Sequence, residues 1–203
     1  EYIAVNGKLM ANDVLRYYPF GFDQRSEFGL LAHAIAYLYK LLHAFNPNAT
    51  VVDAAILYPA IAFFIAAIFF FLFVKKLFNY KTAIVSTAFL AVVPAFLYRT
   101  MAGVADKEAL AVATIFAAFY FYAAAIKAEN PKGYILNAIF AGIFTGITAG
   151  IWGGVQFVFL TFGIHMLLSN LFGLSEKRYI YAYCLWAFFT IFVAYLIYPQ
   201  RYG

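Results

Sequence analysis

The chain has 203 residues, of which 66% are hydrophobic, 22% aromatic and only 11% charged. Its mean hydropathy is +0.83. Soluble domains carry about one quarter charged residues, so this composition excludes a soluble globular domain. The formal net charge of +5 is expected in the loops, because helices in lipid avoid charge, and it does not predict a nucleic-acid partner.

The charged residues are clustered and leave long uncharged runs between them. Each run is long enough to cross about 30 Å of hydrocarbon as a helix, and the longest could cross twice. The runs are 54–74, 82–98, 109–126, 133–175 and 179–200. They predict a polytopic, all-α membrane helix bundle, because a helix in lipid satisfies its own backbone hydrogen bonds.

The first 50 residues are more polar than the rest of the chain. Positions 1–25 are rich in turn-forming residues, and 26–45 have a helical pattern that charged and histidine residues interrupt. This pattern favours an interfacial helix, although the charges alone leave a crossing open. From 51 to 203 we expect about six spanning helices, at 52–76, 81–98, 107–127, 133–150, 152–172 and 179–199.

The basic residues of the connections predict an orientation. Lysine and arginine concentrate in the connections at 75–81, 127–132 and 174–178, and such connections are usually cytoplasmic. The connection at 99–108 is therefore expected on the outside.

The outward connection at 99–108 carries four charged residues, Arg99, Asp106, Lys107 and Glu108. Asp106 and Glu108 stand two apart at the start of a helix, where the amide dipoles favour anions. Both side chains could turn toward one hard cation, which would need further oxygen ligands from elsewhere. The alternative is that the two acids only cap the helix while the neighbouring cations neutralise them.

Other polar features carry less chemistry. His33 and His43 are ten residues apart, and His165 is predicted near the other membrane surface, so no zinc cluster is expected. Glycines at 142, 146 and 150 line one helix face and would let another helix approach closely.

Three stretches of the chain resemble motifs of one enzyme family. The run YRTMAG at 98–103, followed by Asp106-Lys107-Glu108, looks like the second acidic motif of the oligosaccharyltransferase catalytic subunit, the enzyme of protein N-glycosylation. The YPFG at 18–21 resembles a motif of that family's first external loop. The AGIWGGVQF at 149–157 resembles its Trp-Gly-Gly helix start. The spacings also fit, and the archaeal single-subunit branch is favoured.

The resemblance implies the membrane bundle of the lipid-phosphosugar glycosyltransferases, the GT-C fold. Residues 1–50 would be the first external loop, with an interfacial helix at about 26–45. Residues 51–203 would be the transmembrane bundle with the acidic external loop at 99–108. The chain begins with Glu1 rather than Met, and we expect it to be an N-terminal fragment that is inactive alone.

The resemblance also implies a reaction and its participants. An oligosaccharide would move from a lipid (dolichyl) phosphate or pyrophosphate donor to the Asn of Asn-x-Ser/Thr sequons in an acceptor polypeptide. Asp106 and Glu108 would bind Mn²⁺ or Mg²⁺. Arg99 would be the third catalytic residue, paired with a carboxylate or the donor phosphates. The site would face the exterior of an archaeal cell membrane, in contact with membrane lipids.

Two other functions fit parts of the pattern. A related transferase could move sugar from a lipid phosphate to Ser/Thr or to a lipid, but it is not expected to carry both the YRTMAG and the Trp-Gly-Gly motifs. A transporter would place ionisable residues near helix centres, whereas the runs 54–74, 109–126 and 179–198 contain no Asp, Glu, Lys or Arg.

Overall fold

The computed structural model describes residues 1–14, 16–23, 28–174 and 176–199. The described chain is almost entirely helical, as predicted, with one two-residue antiparallel strand pair, β1 (Asn12–Asp13) and β2 (Phe22–Asp23). The helices are α1 (Tyr2–Asn6), α2 (Leu30–Phe45), α3 (Val51–Leu77), α4 (Tyr80–Val92), α5 (Pro94–Thr100), α6 (Lys107–Ile126), α7 (Pro131–Ala149), α8 (Gln156–Leu171) and α9 (Lys177–Ile197). A 3₁₀ turn at Gly153–Val155 leads into α8.

The bundle has small residues in its interior and large apolar residues on its outer surface, as expected for a protein surrounded by lipid. Alanines such as Ala66, Ala113 and Ala117 fill the interior, while large side chains such as Phe64 and Phe188 are more than 60% exposed on the outer surface. Small residues inside let helices approach closely where lipid covers the outside. Within the described ranges, four segments are long and apolar enough to cross a membrane: Val51–Leu77, Lys107–Ile126, Gly153–Leu171 and Lys177–Ile197. The protein is therefore an integral membrane protein.

The sequence predicts one continuous helix over 81–98, and the structure corrects this. α4 and α5 meet at an angle of 66°, so together they form a fifth span only if the span is broken. Val93 is extended, with φ −64° and ψ 119°, and Pro94 begins α5. Proline lacks the N–H that would continue the α4 ladder, and it disfavours helical backbone in the preceding residue.

The three basic connections lie at the same end of the bundle, here called the basic end. The Lys127 ammonium donates to the carbonyls of Lys76 and Leu77, at 2.8 and 3.1 Å. The Arg178 guanidinium donates to the Ala128 carbonyl at 2.9 Å. These contacts confirm that the connections predicted to share one membrane surface are neighbours.

The glycine face of α7 packs directly against α9. A Cβ atom at Gly142 would lie 2.7 Å from the Trp186 carbonyl, and one at Gly146 would lie 2.9 Å from the Thr190 carbonyl. Nearby, the Trp186 indole N–H donates to Thr145 Oγ1 at 3.0 Å. The predicted close helix approach is confirmed, and it holds α9 beside α7 over most of its length.

α2 packs along α3 and the start of α6. Its Leu31, Ile35 and Leu38 surround a small core made by Tyr58, Ala62 and Ala109. The helix is 16 residues long, or about 24 Å, which is shorter than the hydrocarbon layer. The first two residues of the predicted helix at 26–45 lie outside the described part of the chain. The interfacial location of α2 stays a prediction.

Candidate active site

The acidic connection joins α5 to α6 at the end of the bundle opposite the basic end, here called the acidic end. Asp106 is the N-cap of α6, and its carboxylate accepts the backbone N–H of Glu108 at 3.4 Å. An N-cap carboxylate satisfies a helix N–H that has no partner within the helix. Glu108 lies in the first helical turn, so the local sequence fixes both carboxylates at the same helix start.

Arg99 binds both carboxylates. Its Nη1 contacts Asp106 Oδ2, and its Nε lies 3.1 Å from Glu108 Oε2. Asp106 and Glu108 are 26% and 30% exposed and Arg99 is 45% exposed, so all three remain accessible from solvent. The structure therefore brings together the three predicted site residues, and Arg99 pairs with the carboxylates as expected.

Two residues of α3 form hydrogen bonds with the acidic connection. The Tyr58 hydroxyl donates to the backbone carbonyl of Asp106, and the Gly103 N–H donates to the Ile56 carbonyl at 3.1 Å. Gly103 has a φ of +91°, which glycine adopts readily. Sequence reasoning missed Tyr58. The available signal was a tyrosine beside a proline near the start of an otherwise apolar helix.

The donor chemistry fits a hard divalent cation. Carboxylate oxygens are the ligands that Mg²⁺, Mn²⁺ and Ca²⁺ prefer, and these ions need about six oxygen ligands. Among the described residues no group of three or more His, Cys, Asp and Glu side chains could enclose a metal. Asp106 and Glu108 could supply part of a coordination sphere, since Arg99 contacts one oxygen of each carboxylate, and further ligands would have to come from elsewhere.

The Trp-Gly-Gly motif lies near the same end, and Phe28 connects it with Lys107. The Lys107 ammonium lies 5.9 Å from the centre of the Phe28 ring, just before α2. A Cβ atom at Gly153 would lie 4.0 Å from that same ring. At Gly154 a Cβ atom would fall 2.2 Å from the Trp152 ring, so the Trp-Gly-Gly turn leaves no space for a side chain there.

The histidines do not form a site within the described residues. His33 Nδ1 contacts the Gly29 carbonyl at 2.9 Å, within α2 and its cap. His165 Nδ1 lies 3.2 Å from the Tyr122 hydroxyl, far along α6 from Asp106.

The family follows from a match over almost the whole chain. The sequence model described as oligosaccharyl transferase STT3, N-terminal, matches residues 2–201. The chain belongs to this family. Members in Saccharomyces cerevisiae and Schizosaccharomyces pombe are named as STT3 subunits of dolichyl-diphosphooligosaccharide–protein glycosyltransferase. They are 29% identical over 56% of this chain and 24% identical over 72% of it.

Solved structures of an archaeal oligosaccharyltransferase share the architecture of this chain. The Archaeoglobus fulgidus oligosaccharyltransferase tethered with an acceptor peptide containing the NVT sequon matches 98% of this chain, with a TM-score of 0.75 and 20% identity. Its complex with Zn and sulfate matches with a TM-score of 0.72. The chain spans about a fifth of the two yeast relatives, at 15% and 19% of their lengths. It spans about a quarter of the archaeal protein, at 24% and 25% of the two chains.

Proposed function

We propose that the protein containing this chain transfers an oligosaccharide from a lipid (dolichyl) phosphate or pyrophosphate donor to the Asn of Asn-x-Ser/Thr sequons. The observation that carries the proposal is the Arg99, Asp106 and Glu108 cluster at one end of an STT3-family bundle. The two yeast relatives are named for glycosyl transfer from a dolichyl-diphosphooligosaccharide to protein. Structures of the archaeal neighbour hold a sequon peptide in one case and a dolichol-phosphate in another.

Asp106 and Glu108 would hold Mn²⁺ or Mg²⁺ together with ligands from the rest of the protein. The cation would act as a Lewis acid on the leaving phosphate. An Asn amide is a poor nucleophile because its nitrogen lone pair is delocalised into the carbonyl. A carboxylate oxygen of Asp106 or Glu108 that accepts the amide N–H would weaken that delocalisation and orient the nitrogen.

Arg99 would support these carboxylates or bind the donor phosphates. Its planar guanidinium can donate two parallel hydrogen bonds to a carboxylate or a phosphate. With a cation held by Asp106 and Glu108, any N–H group of Arg99 that does not contact a carboxylate would be available to the donor phosphates, since Arg99 is 45% exposed.

The location of the cluster suits a donor anchored in lipid. The acidic connection lies at an end of the spanning helices, where a lipid headgroup and a soluble peptide can meet. The basic connections at the other end support an external location for this cluster. The archaeal single-subunit branch and the archaeal cell membrane remain predictions.

The test is transfer of a labelled glycan to an Asn-x-Thr peptide by the reconstituted full-length protein. Asp106→Asn keeps the ability to cap a helix but loses the negative charge, and we expect transfer to fall about 100-fold or more. Asp53→Asn is the matched control, because Asp53 also caps a helix start but binds only Thr50 in this structure. Activity of Asp106→Asn within about twofold of wild type would reject a catalytic role.

The same assay separates the acceptor classes. Transfer to a Ser or Thr hydroxyl of a peptide without Asn, or to a lipid, would favour the related transferase. Absence of any transfer by the full-length protein, with movement of a solute across the vesicle membrane, would favour the transporter.

A further inference from the structure

Tyr58 is a buried polar group that the proposed chemistry does not use directly. It is 5% exposed, and its ring belongs to the core formed with Ala62 and Ala109. A phenylalanine would fill this apolar space equally well. The hydroxyl, however, donates to the Asp106 carbonyl, which lies 48 positions further along the chain.

Pro59 follows Tyr58 inside α3 and is buried. Proline has no N–H, so it cannot bond to the carbonyl of the residue four positions earlier, and its ring distorts the adjoining turn. In that turn the Ile56 carbonyl accepts the N–H of Gly103 at 3.1 Å. Pro59 thus leaves the Ala55 carbonyl without its usual helical donor, and the carbonyl of the next residue, Ile56, accepts from the acidic connection.

The two contacts bracket the part of the connection that determines the direction of Asp106. The Gly103 bond fixes its beginning, and the Tyr58 bond fixes the backbone of Asp106 itself. A backbone held at both points restricts where the Asp106 carboxylate can point. Residues that orient a metal ligand without touching the metal commonly have a large effect on metal affinity.

We propose that Tyr58, assisted by Pro59, is a positioning residue. Its hydrogen bond to the Asp106 carbonyl fixes the backbone from which the Asp106 carboxylate projects. This inference rests on the proposed function, in which Asp106 binds a divalent cation during glycan transfer. The Tyr58 hydroxyl acts through the Asp106 backbone, to which it donates. Its removal therefore changes the cation affinity and the turnover number more than the KM for the acceptor peptide.

Tyr122 provides a matched control within the same bundle. It is also 5% exposed and lies in a spanning helix, and its hydroxyl contacts His165 at 3.2 Å, away from the acidic end. Tyr58→Phe and Tyr122→Phe each remove one buried hydroxyl and leave the ring in place. A purely structural role of the hydroxyl predicts similar consequences for both variants.

The experiment measures Mn²⁺ binding to the purified full-length protein by electron paramagnetic resonance, together with glycan transfer and thermal unfolding. We expect Tyr58→Phe to weaken Mn²⁺ binding about tenfold and to lower kcat by a similar factor, with the peptide KM unchanged. Tyr122→Phe should match wild type in all three binding and kinetic constants. Equal Mn²⁺ affinity in the two variants would overturn the positioning role.

Asp106→Ala in the same preparation separates this inference from the proposed function. If Asp106→Ala loses Mn²⁺ affinity and Tyr58→Phe does not, only the positioning role fails. If Asp106→Ala binds Mn²⁺ and transfers glycan like wild type, the proposed function of Asp106 fails first.

Pro59→Ala decides the case in which Tyr58→Phe also lowers the unfolding temperature. Alanine restores an N–H to α3 and favours a regular helix, but it also leaves a void at this fully buried position, so the unfolding temperature is measured together with Mn²⁺ affinity. Weaker Mn²⁺ binding by a stably folded Pro59→Ala protein supports the proposal. Unchanged binding overturns it.

Discussion

The two ends of the bundle use their charged residues in different ways. At the basic end, Lys127 and Arg178 donate to carbonyls at the ends of α3 and α6. At the acidic end, two carboxylates share a single guanidinium, that of Arg99. The basic contacts satisfy helix ends. The acidic cluster keeps carboxylate lone pairs that one arginine cannot all satisfy, and these are available to a cation.

Membrane sidedness gives the largest expected effect, because labelling is all or none. A Cys introduced at Lys107 and one at Asn46 should both react with an impermeant maleimide in intact cells, whereas a Cys at Lys132 should not. The expectation follows from the basic connections at the other end. Labelling at 132 alone would invert the orientation and separate the acidic end from an external donor.

The outcome at Asn46 also bears on the N-terminal segment. If the positions at 107 and 46 react while residues 1–25 are protected, α2 crosses the membrane instead of lying at its surface. A single-cysteine series must account for Cys184, which is exposed, so each variant is made in a Cys184→Ala background.

Arg99→Lys tests whether the acidic end needs a forked donor or only a positive charge. Arg99 contacts two carboxylates through different nitrogens, and a lysine ammonium cannot reproduce that geometry. We expect glycan transfer by the full-length protein to fall about 10- to 100-fold, with normal expression and unfolding temperature. An arginine that serves only as an interface anchor would tolerate lysine, and near-normal turnover would establish that reading.

Lys127→Met tests whether the contacts at the basic end only stabilise the fold. The variant removes two hydrogen bonds to the last carbonyls of α3, and cations near a helix C-terminus are stabilising. Because the side chain is exposed, we expect a loss of about 1 kcal/mol in the free energy of unfolding. Glycan transfer per folded molecule should be unchanged. A selective loss of transfer would mean that the basic end also takes part in the reaction.

The sequence contained most of the information on the elements and less on their contacts. Four of the uncharged runs overlap the described helices that are long and apolar enough to cross a membrane, and the glycine spacing in α7 located a close helix contact, because both patterns are local. The α4–α5 break had a local signal in Pro94 that apolar composition concealed. The Tyr58–Pro59 pair marked an unusual position in α3, but nothing local could name the partner of Tyr58, which lies 48 positions away. Similarly, local spacing suggested the Asp106 and Glu108 pair, but only the fold shows which α3 groups hold it.

The smallest expected effect comes from a third carboxylate, at the start of α3. Asp53 belongs to a capping box in which its Oδ2 accepts from the Thr50 N–H and hydroxyl, at 2.8 and 2.7 Å. Its oxygens therefore serve the helix start, whereas those of Asp106 serve both a helix start and Arg99. Asp53→Ala should lower the unfolding temperature of the full-length protein by about 1 °C and leave Mn²⁺ affinity and glycan transfer unchanged. A change in Mn²⁺ affinity would place Asp53 in the same cation environment as Asp106, and helix capping would then no longer distinguish a structural carboxylate from a functional one at this end of the bundle.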